Sequence, residues 1–408
     1  MTIATTSSTG PGEFSVDNPL GSNVVNLAPT PAVATSSRAG APGLTALLDA
    51  VLFPARIDAL NLCDQNIATY DPHSYLLIFR CRGRNLPDVL PPVLGFFVWG
   101  VLWGAIFSAS ENMRALMLPL DDLIKPLLTP VSLLLVFRLG RAAVRYWDAR
   151  VAAGQVVGTC RTLSSTALVV CASHPELVDS LARWICLYPL VVKNFLRPPT
   201  RQGWQPERRR AHQRLEVGPL LDEAAANELL SANGDAAPVL VLNRLRSLAL
   251  RAAVELELEP TIRASAYHQI NGYIDGLTAA WGVMERINAT PLPFVYVVHL
   301  RTLLVLYLLA WHLDALATHG WSALPPLVVV SWALLGIEAA SVECERPFMW
   351  EANHLALGRM GVTVARNVAT TLRQTQRFDD AHDDAPCRIS ELQTEAEALG
   401  NSDWRMEL

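Results

Sequence analysis

Four long runs of apolar residues predict helices that cross a membrane. They cover about Leu90–Ala109, Pro126–Val144, Pro293–Leu316 and Pro325–Ala340. A helix needs about 20 mostly apolar residues to cross a bilayer, because each residue adds about 1.5 Å to its length. A buried core helix is the alternative for any single run. Four such runs in one chain favour a membrane protein.

The runs form two pairs, which are separated by a polar stretch over residues 145–290. That stretch is far longer than an ordinary loop. Within it, apolar residues return at helical spacing, as in Val241, Leu245 and Leu248. The pattern predicts an all-α integral membrane protein with four transmembrane helices in two pairs and a helical cytosolic domain.

Basic residues predict the orientation of these helices. The connection within the second pair, over residues 317–324, has no Lys or Arg. Basic residues instead lie before the first run and at the end of the second. These are Arg80, Arg82 and Arg84 before the first run and Arg138, Arg141, Arg145 and Arg150 at the end of the second. Because Lys and Arg are enriched in cytoplasmic loops, both termini and the insert are expected in the cytosol.

Both ends of the chain differ in composition from the middle. Residues 1–45 are rich in Ser, Thr, Ala, Pro and Gly, which predicts a disordered tail or an organellar targeting peptide. Residues 377–408 are acidic, with Asp379, Asp380, Asp383 and Asp384, and predict a flexible tail rather than a cation site. The plasma membrane is the expected location, with an organellar (plastid thylakoid) membrane as the alternative.

Composition narrows the class further. Charged residues make up 17% of the chain, against about 25% in soluble domains, and the mean hydropathy is +0.25. The net charge of −5 argues against nucleic-acid binding. The seven cysteines contain no CxxC pair, which argues against a disulfide framework or a zinc site. No metal or other cofactor is expected.

The second apolar run has a distinct face. Thr129, Leu133 and Phe137 are spaced by four residues and stack on one side of a helix. Such a face can form a hydrophobic constriction in a channel. Arg138, Arg141 and Arg145 follow and could concentrate anions at the inner mouth. Ordinary helix packing, with the arginines as membrane anchors, explains the same pattern.

Ionisable residues in the last two runs raise the alternative of a membrane enzyme. His299, Arg301 and Glu338 are costly in a bilayer and are expected to pair with one another or to reach the interface. They come without a nucleophile–base arrangement, metal-ligand spacing or a glycine-rich phosphate loop. The enzyme is therefore the weaker hypothesis.

Three blocks of sequence resemble the bestrophin family. The first runs from Ser132 to Arg138 and continues with Arg-Tyr-Trp-Asp-Ala-Arg at 145–150. The second is Glu-Arg-Ile at 285–287 with Thr-Pro-Leu-Pro-Phe at 290–294. The third is Pro-Phe at 347–348 with Glu351, Asn353 and Leu355. Their order on two pairs of spans is typical of bestrophins, and residues 46–376 are expected to form a bestrophin-like channel unit.

The resemblance implies a homopentameric anion channel with a pore neck at Thr129, Leu133 and Phe137. It also implies a cytosolic aperture at about Ser265. Thr129 and Ser265 depart from the apolar residues usual in the family. The dense acidic run that binds calcium in animal members is replaced by Glu343 and Glu345 around Cys344, so the resemblance leaves calcium regulation in doubt.

The expected permeant ions follow from that resemblance. Chloride is the first candidate, with bicarbonate and nitrate as further inorganic anions, and the lipid bilayer is the other partner. A cation-selective channel and a non-conducting bestrophin-like membrane protein stay open as alternatives. A reversal potential in a salt gradient separates the anion channel from the cation channel.

Overall fold

The structure is a computed structural model that describes residues 86–197, 210, 213–214, 216–218, 220–232, 236–350 and 353–380, with side chains as far as residue 374. Over these residues the chain folds into helices, turns and short connections without a β-strand. The predicted tail over 1–45 and the acidic residues Asp383 and Asp384 lie outside this part. So do Arg80, Arg82 and Arg84.

Ten α-helices make up the described part of the chain. They are α1 (Leu86–Ala109), α2 (Glu111–Met117), α3 (Leu120–Val170), α4 (Pro175–Leu196), α5 (Glu223–Ser231), α6 (Ala236–Glu255), α7 (Pro260–Ala289), α8 (Phe294–His319), α9 (Leu324–Glu345) and α10 (Leu357–Asp380).

Local sequence explains several helix ends. Pro175, Pro260 and Pro325 lie in the first turns of α4, α7 and α9, where the missing N–H of proline costs no intrahelical hydrogen bond. α8 ends at Gly320, whose φ of 64° lies in the left-handed region that glycine adopts without strain. A 3₁₀ turn over Gly320–Ala323 then leads into α9.

Three segments of the described chain are long and apolar enough to cross a membrane. They are Leu86–Ala109, Leu120–Val170 and Phe294–Glu345. The third consists of α8 and α9, joined at the Gly320 turn. The apolar runs predicted from the sequence therefore all lie within long helices of the fold.

α3 is much longer than the second apolar run. It begins at Leu120, continues through Pro126 and Pro130, and ends only at Val170, well inside the stretch predicted as the cytosolic insert. Hydropathy falls near Val144, but no proline follows to end the helix. From Ala149 onwards α3 instead buries a stripe of small and apolar residues, which supports a continued helix.

Two apolar cores lie along α3. The first core joins α1, the early part of α3 and α8, with Phe96, Val131, Leu135, Leu304 and Leu308 buried. The second core joins the later part of α3 with α4, α6, α7 and α10. α3 is thus the one element among the described helices that contributes to both of these cores.

α7 runs antiparallel to α3. Near the carboxyl end of α7, the Arg145 Nη2 donates a hydrogen bond to the Ile287 carbonyl over 2.5 Å. Further back along α7, Gly276 lies against the Thr159 side chain. Ser265, in the second turn of α7, therefore lies towards the Val170 end of α3.

Candidate pore-lining helix

One face of α3 has no packing partner among the residues that the structure describes. Leu133 is 53% exposed, Val136 67% and Phe137 56%, and Thr129 is exposed as well. The opposite face is packed, since Val131 and Leu135 are each only 2% exposed in the first core. The predicted neck residues thus share one exposed and mostly apolar face.

Arg138 lies on the packed side of α3. Its side chain is 1% exposed. Its Nη2 is 2.7 Å from Glu345 Oε2, and its Nε is 3.3 Å from Glu338 Oε2. Arg138 is therefore turned towards α9 rather than towards the exposed face, and its place at the inner mouth of a pore stays a prediction. A step of one residue turns a helix by about 100°, so that Arg138 points inward while Phe137 points outward.

The carboxylates of α9 link three parts of the fold. Glu338 also pairs with Arg301 of α8, at 2.8 Å between Nε and Oε1. Glu345 accepts a hydrogen bond from the backbone N–H of Leu292, just before α8 begins. Two arginines and two glutamates balance in charge, and this pairing is what keeps ionised side chains tolerable beside an apolar core.

His299 lies apart from this network. The sequence grouped it with Arg301 and Glu338, and the structure brings only the latter two together. The His299 side chain is exposed on α8. The predicted pairing within the protein therefore holds for Arg301 and Glu338, with Arg138 in the place of His299.

The other two predicted basic residues differ from each other. Arg141 is exposed one turn beyond Phe137 on α3. Arg145 is half-buried and binds the Ile287 carbonyl of α7. Arg141 is thus the member of the predicted basic group that keeps its charge at the surface of the chain.

Ser265 is exposed, as an aperture residue must be, but it lies far from the neck residues. Thr159, which faces Gly276, is 22 residues beyond Phe137 on α3, a rise of about 33 Å. Ser265 lies further still in the same direction. Within one chain, the two predicted constrictions are therefore separate sites at different heights along α3.

The partners of Arg138 were missed by sequence reasoning. Glu338 was considered only beside His299 and Arg301, and Glu345 only as a poor calcium ligand. The two residues are seven apart, which places them two turns apart on one face of a helix. An acidic pair of that spacing in an apolar helix was a signal that a buried base lies opposite.

The family follows from the whole sequence. Residues 66–370 match the family described as Bacterial/Fungal Bestrophin protein. The chain belongs to the bacterial and fungal bestrophins. The resemblance inferred from three short blocks is confirmed, and so is the preference for bacterial and fungal members over animal ones. Bestrophins are membrane channels, which removes the membrane enzyme as a hypothesis.

Curated relatives agree with this assignment. A protein of Synechocystis sp. named as a voltage-dependent anion channel-forming protein is 27% identical over 319 residues, which cover 76% of this chain and 94% of the relative. A protein of the same name from Nostoc sp. is 27% identical and covers 76% of this chain and 95% of the relative. The similarity therefore extends over nearly the whole length of these proteins.

Solved structures share the fold. A bestrophin homologue from Klebsiella pneumoniae, solved as a variant, superposes with a TM-score of 0.58 at 20% identity, over 70% of this chain and 100% of that chain. A second structure of the homologue gives a TM-score of 0.57 at 20% identity, over 68% and 98%. The helical arrangement is thus the bestrophin fold.

Proposed function

We propose that this protein is a passive anion channel in which five copies surround a central pore. The observation that carries the proposal is the exposed face of α3, with Leu133 and Phe137 more than half exposed. In a membrane protein such a face meets lipid, another copy or a water-filled path. Curated relatives named as anion channel-forming proteins favour the third.

The neck is assigned to Thr129, Leu133 and Phe137. Apolar side chains at a narrow point gate a pore by excluding water, and the positive edge of an aromatic ring is compatible with anions. Thr129 adds a hydroxyl that makes the neck easier to wet. Ser265 is assigned to a second, polar aperture at the other end of the pathway.

The membrane arrangement belongs to the same proposal. α1, the early part of α3, α8 and α9 form four spans, because α8 and α9 are each long enough to cross separately. The second core then lies in the cytosol, as the basic residues predict. The plasma membrane is the proposed location, with a plastid thylakoid membrane as the alternative.

In this proposal, fewer arginines contribute to ion selectivity than the three that the sequence predicted. Arg138 is neutralised by Glu338 and Glu345, and Arg145 is bound to the Ile287 carbonyl. Arg141 is left as the exposed positive charge beside the neck. Chloride is the proposed ion, with bicarbonate and nitrate as further candidates, and a cation-selective pore is the competing result.

Currents from purified protein in a planar bilayer test the proposal. The double variant Leu133→Ala, Phe137→Ala widens and wets the neck, so its conductance is expected to exceed that of the wild type. Leu94→Ala on α1 is the matched control, because Leu94 is 51% exposed but lies on another helix. Equal currents in all three proteins contradict the neck.

The reversal potential in a potassium chloride gradient decides the sign of the permeant ion. A value close to the chloride equilibrium potential supports the anion channel. A value close to that of potassium shows a cation channel with the same fold, and the absence of current in any gradient contradicts the channel.

A further inference from the structure

A cleft of about 560 Å³ opens between α4, α5 and α6, in the part of the protein built around the second core. Its volume lies within the roughly 300–1,000 Å³ of small-molecule sites. α6 packs mainly on α4 and α7 rather than on α3. The cleft is therefore separate from the exposed face that the channel proposal uses.

The walls of the cleft combine apolar and polar groups. Val239 and Leu240 of α6 provide apolar surface, and Asn243 and Ser247 add hydrogen-bonding groups one and two turns further along. Trp184 of α4 lies at the base and is 8% exposed. A few polar groups on an apolar wall are typical of sites that orient a small organic ligand.

Arg244 differs from the other arginines of α6. Arg246 pairs with Asp275 and Arg251 pairs with Glu255, each at 2.6 Å. Arg244 instead places its guanidinium carbon 5.9 Å from the centre of the Trp184 ring. Within the described part of the chain, it has no carboxylate partner, and it lines the cleft as an exposed residue.

Glu228 of α5 lines the same cleft with the opposite charge. Its carboxylate forms no ion pair with Arg244 or with any other basic group that the structure describes. Glu228 and Arg244 are both exposed and do not pair with each other, so both charges are available to a molecule in the cleft. A ligand that bridges them must itself carry both charges.

We propose that this cleft binds a small zwitterion, whose carboxylate pairs with Arg244 and whose ammonium pairs with Glu228. Arginine matches a carboxylate with two parallel hydrogen bonds. Val239 and Leu240 then contact an aliphatic body between the two charged ends. The class that fits is an α-amino acid with an uncharged apolar side chain.

Calorimetric titration of the full-length protein in detergent tests this with three probes. L-leucine carries both charges, N-acetyl-L-leucine lacks the ammonium, and L-leucinamide lacks the carboxylate. L-leucine is expected to bind at least about tenfold more tightly than either analogue, because each analogue loses a charge-assisted hydrogen bond. Equal affinity for the three probes, or no binding of L-leucine, overturns the proposal.

Variants locate the site. Arg244→Gln and Glu228→Gln are each expected to weaken L-leucine binding by about tenfold or more. Arg251→Gln is the matched control, since Arg251 is an α6 arginine outside the cleft, and it is expected to bind like the wild type. Unchanged binding in both cleft variants overturns the assignment. No ion flux is measured, so the outcome is independent of the channel proposal.

Discussion

The guanidinium of Arg138 lies 2.7 Å from the carboxylate of Glu345, which fixes α3 to the end of α9. The preceding residue, Phe137, faces away from the helix bundle and is 56% exposed. One turn of α3 thus carries both an outward apolar ring and a buried ionic anchor. The position of the ring depends on the anchor.

Removing one charge of that anchor should destabilise the protein. Glu345→Gln leaves Arg138 with only the shared carboxylate of Glu338, and breaking a buried ion pair costs about 3–5 kcal/mol. Thermal unfolding in detergent, followed by tryptophan fluorescence, measures the loss. Asp121→Asn is the control, because its partner Lys125 is 70% exposed and exposed ion pairs contribute little to stability. Equal loss in both variants contradicts the anchor.

Arg141 should set the charge preference of the neck. Arg141→Glu replaces an exposed positive charge one turn from Phe137 with a negative one. The reversal potential is therefore expected to shift towards the equilibrium potential of the cation. The shift should shrink at high salt, because the Debye length falls from about 10 Å at 0.1 M to about 3 Å at 1 M. Arg251→Gln on α6 should leave the reversal potential unchanged, and a similar shift in that control refutes a local effect.

Gly361 allows α10 to approach α4 closely. A Cβ at this position would lie 2.7 Å from Leu190 Cδ2. Gly361→Val is therefore expected to cost about 1–3 kcal/mol through overpacking. Gly282→Ala is the control, since nothing lies within 4 Å of its Cβ, and it should stabilise α7 by about 0.5–1 kcal/mol.

A second variant checks the mechanism of the Gly361 effect. Leu190→Ala removes the atom that a Cβ at 361 would meet, so the double variant with Gly361→Val should lose less stability than the two single variants add up to. The comparison uses the same unfolding measurement. Strict additivity argues against a contact between the two positions.

Cys186 should be inert while the protein is folded. Burial raises the pKa of its thiol from 9.0 to about 12, so the reactive thiolate is scarce at pH 8. Peptide mass spectrometry after iodoacetamide treatment is expected to find Cys186 unmodified in native protein and modified after unfolding. Modification of native protein at pH 8 contradicts its burial.

The same shift gives a pH dependence. The unfolded chain releases the Cys186 proton near pH 9.0, whereas the folded chain keeps it until about pH 12. The stability linked to this thiol is therefore complete below pH 9 and is lost as the pH rises from 9 towards 12. Cys186→Ala should flatten this part of the stability profile, and an unchanged slope refutes the linkage.

Helices and their apolar runs could be predicted from the sequence because hydropathy and periodicity act locally. The exposed face with Thr129, Leu133 and Phe137 also follows from a spacing of four. The pairing of Arg138 with Glu338 and Glu345 does not, since it depends on which helix lies opposite. Once Phe137 is taken to face outward, however, helical rotation already turns Arg138 towards the bundle.

The length of α3 and the cleft were beyond sequence reasoning for a different reason. Hydropathy marks where a membrane segment ends but carries no information on where the helix ends. The cleft depends on three helices that are distant in sequence, with Trp184, Glu228 and Arg244 contributed by α4, α5 and α6. Such combinations arise only when the second core assembles.

α3 is one unbroken helix that connects the predicted neck residues with the second core. Its 51 residues span about 76 Å, with Phe137 in the first half and the contacts to α4, α7 and α10 mostly in the second. A small tilt imposed on the far arm is carried to Phe137 without loss in an intervening loop. A displacement of the second core would therefore move the Phe137 ring as well, because no loop separates them along α3.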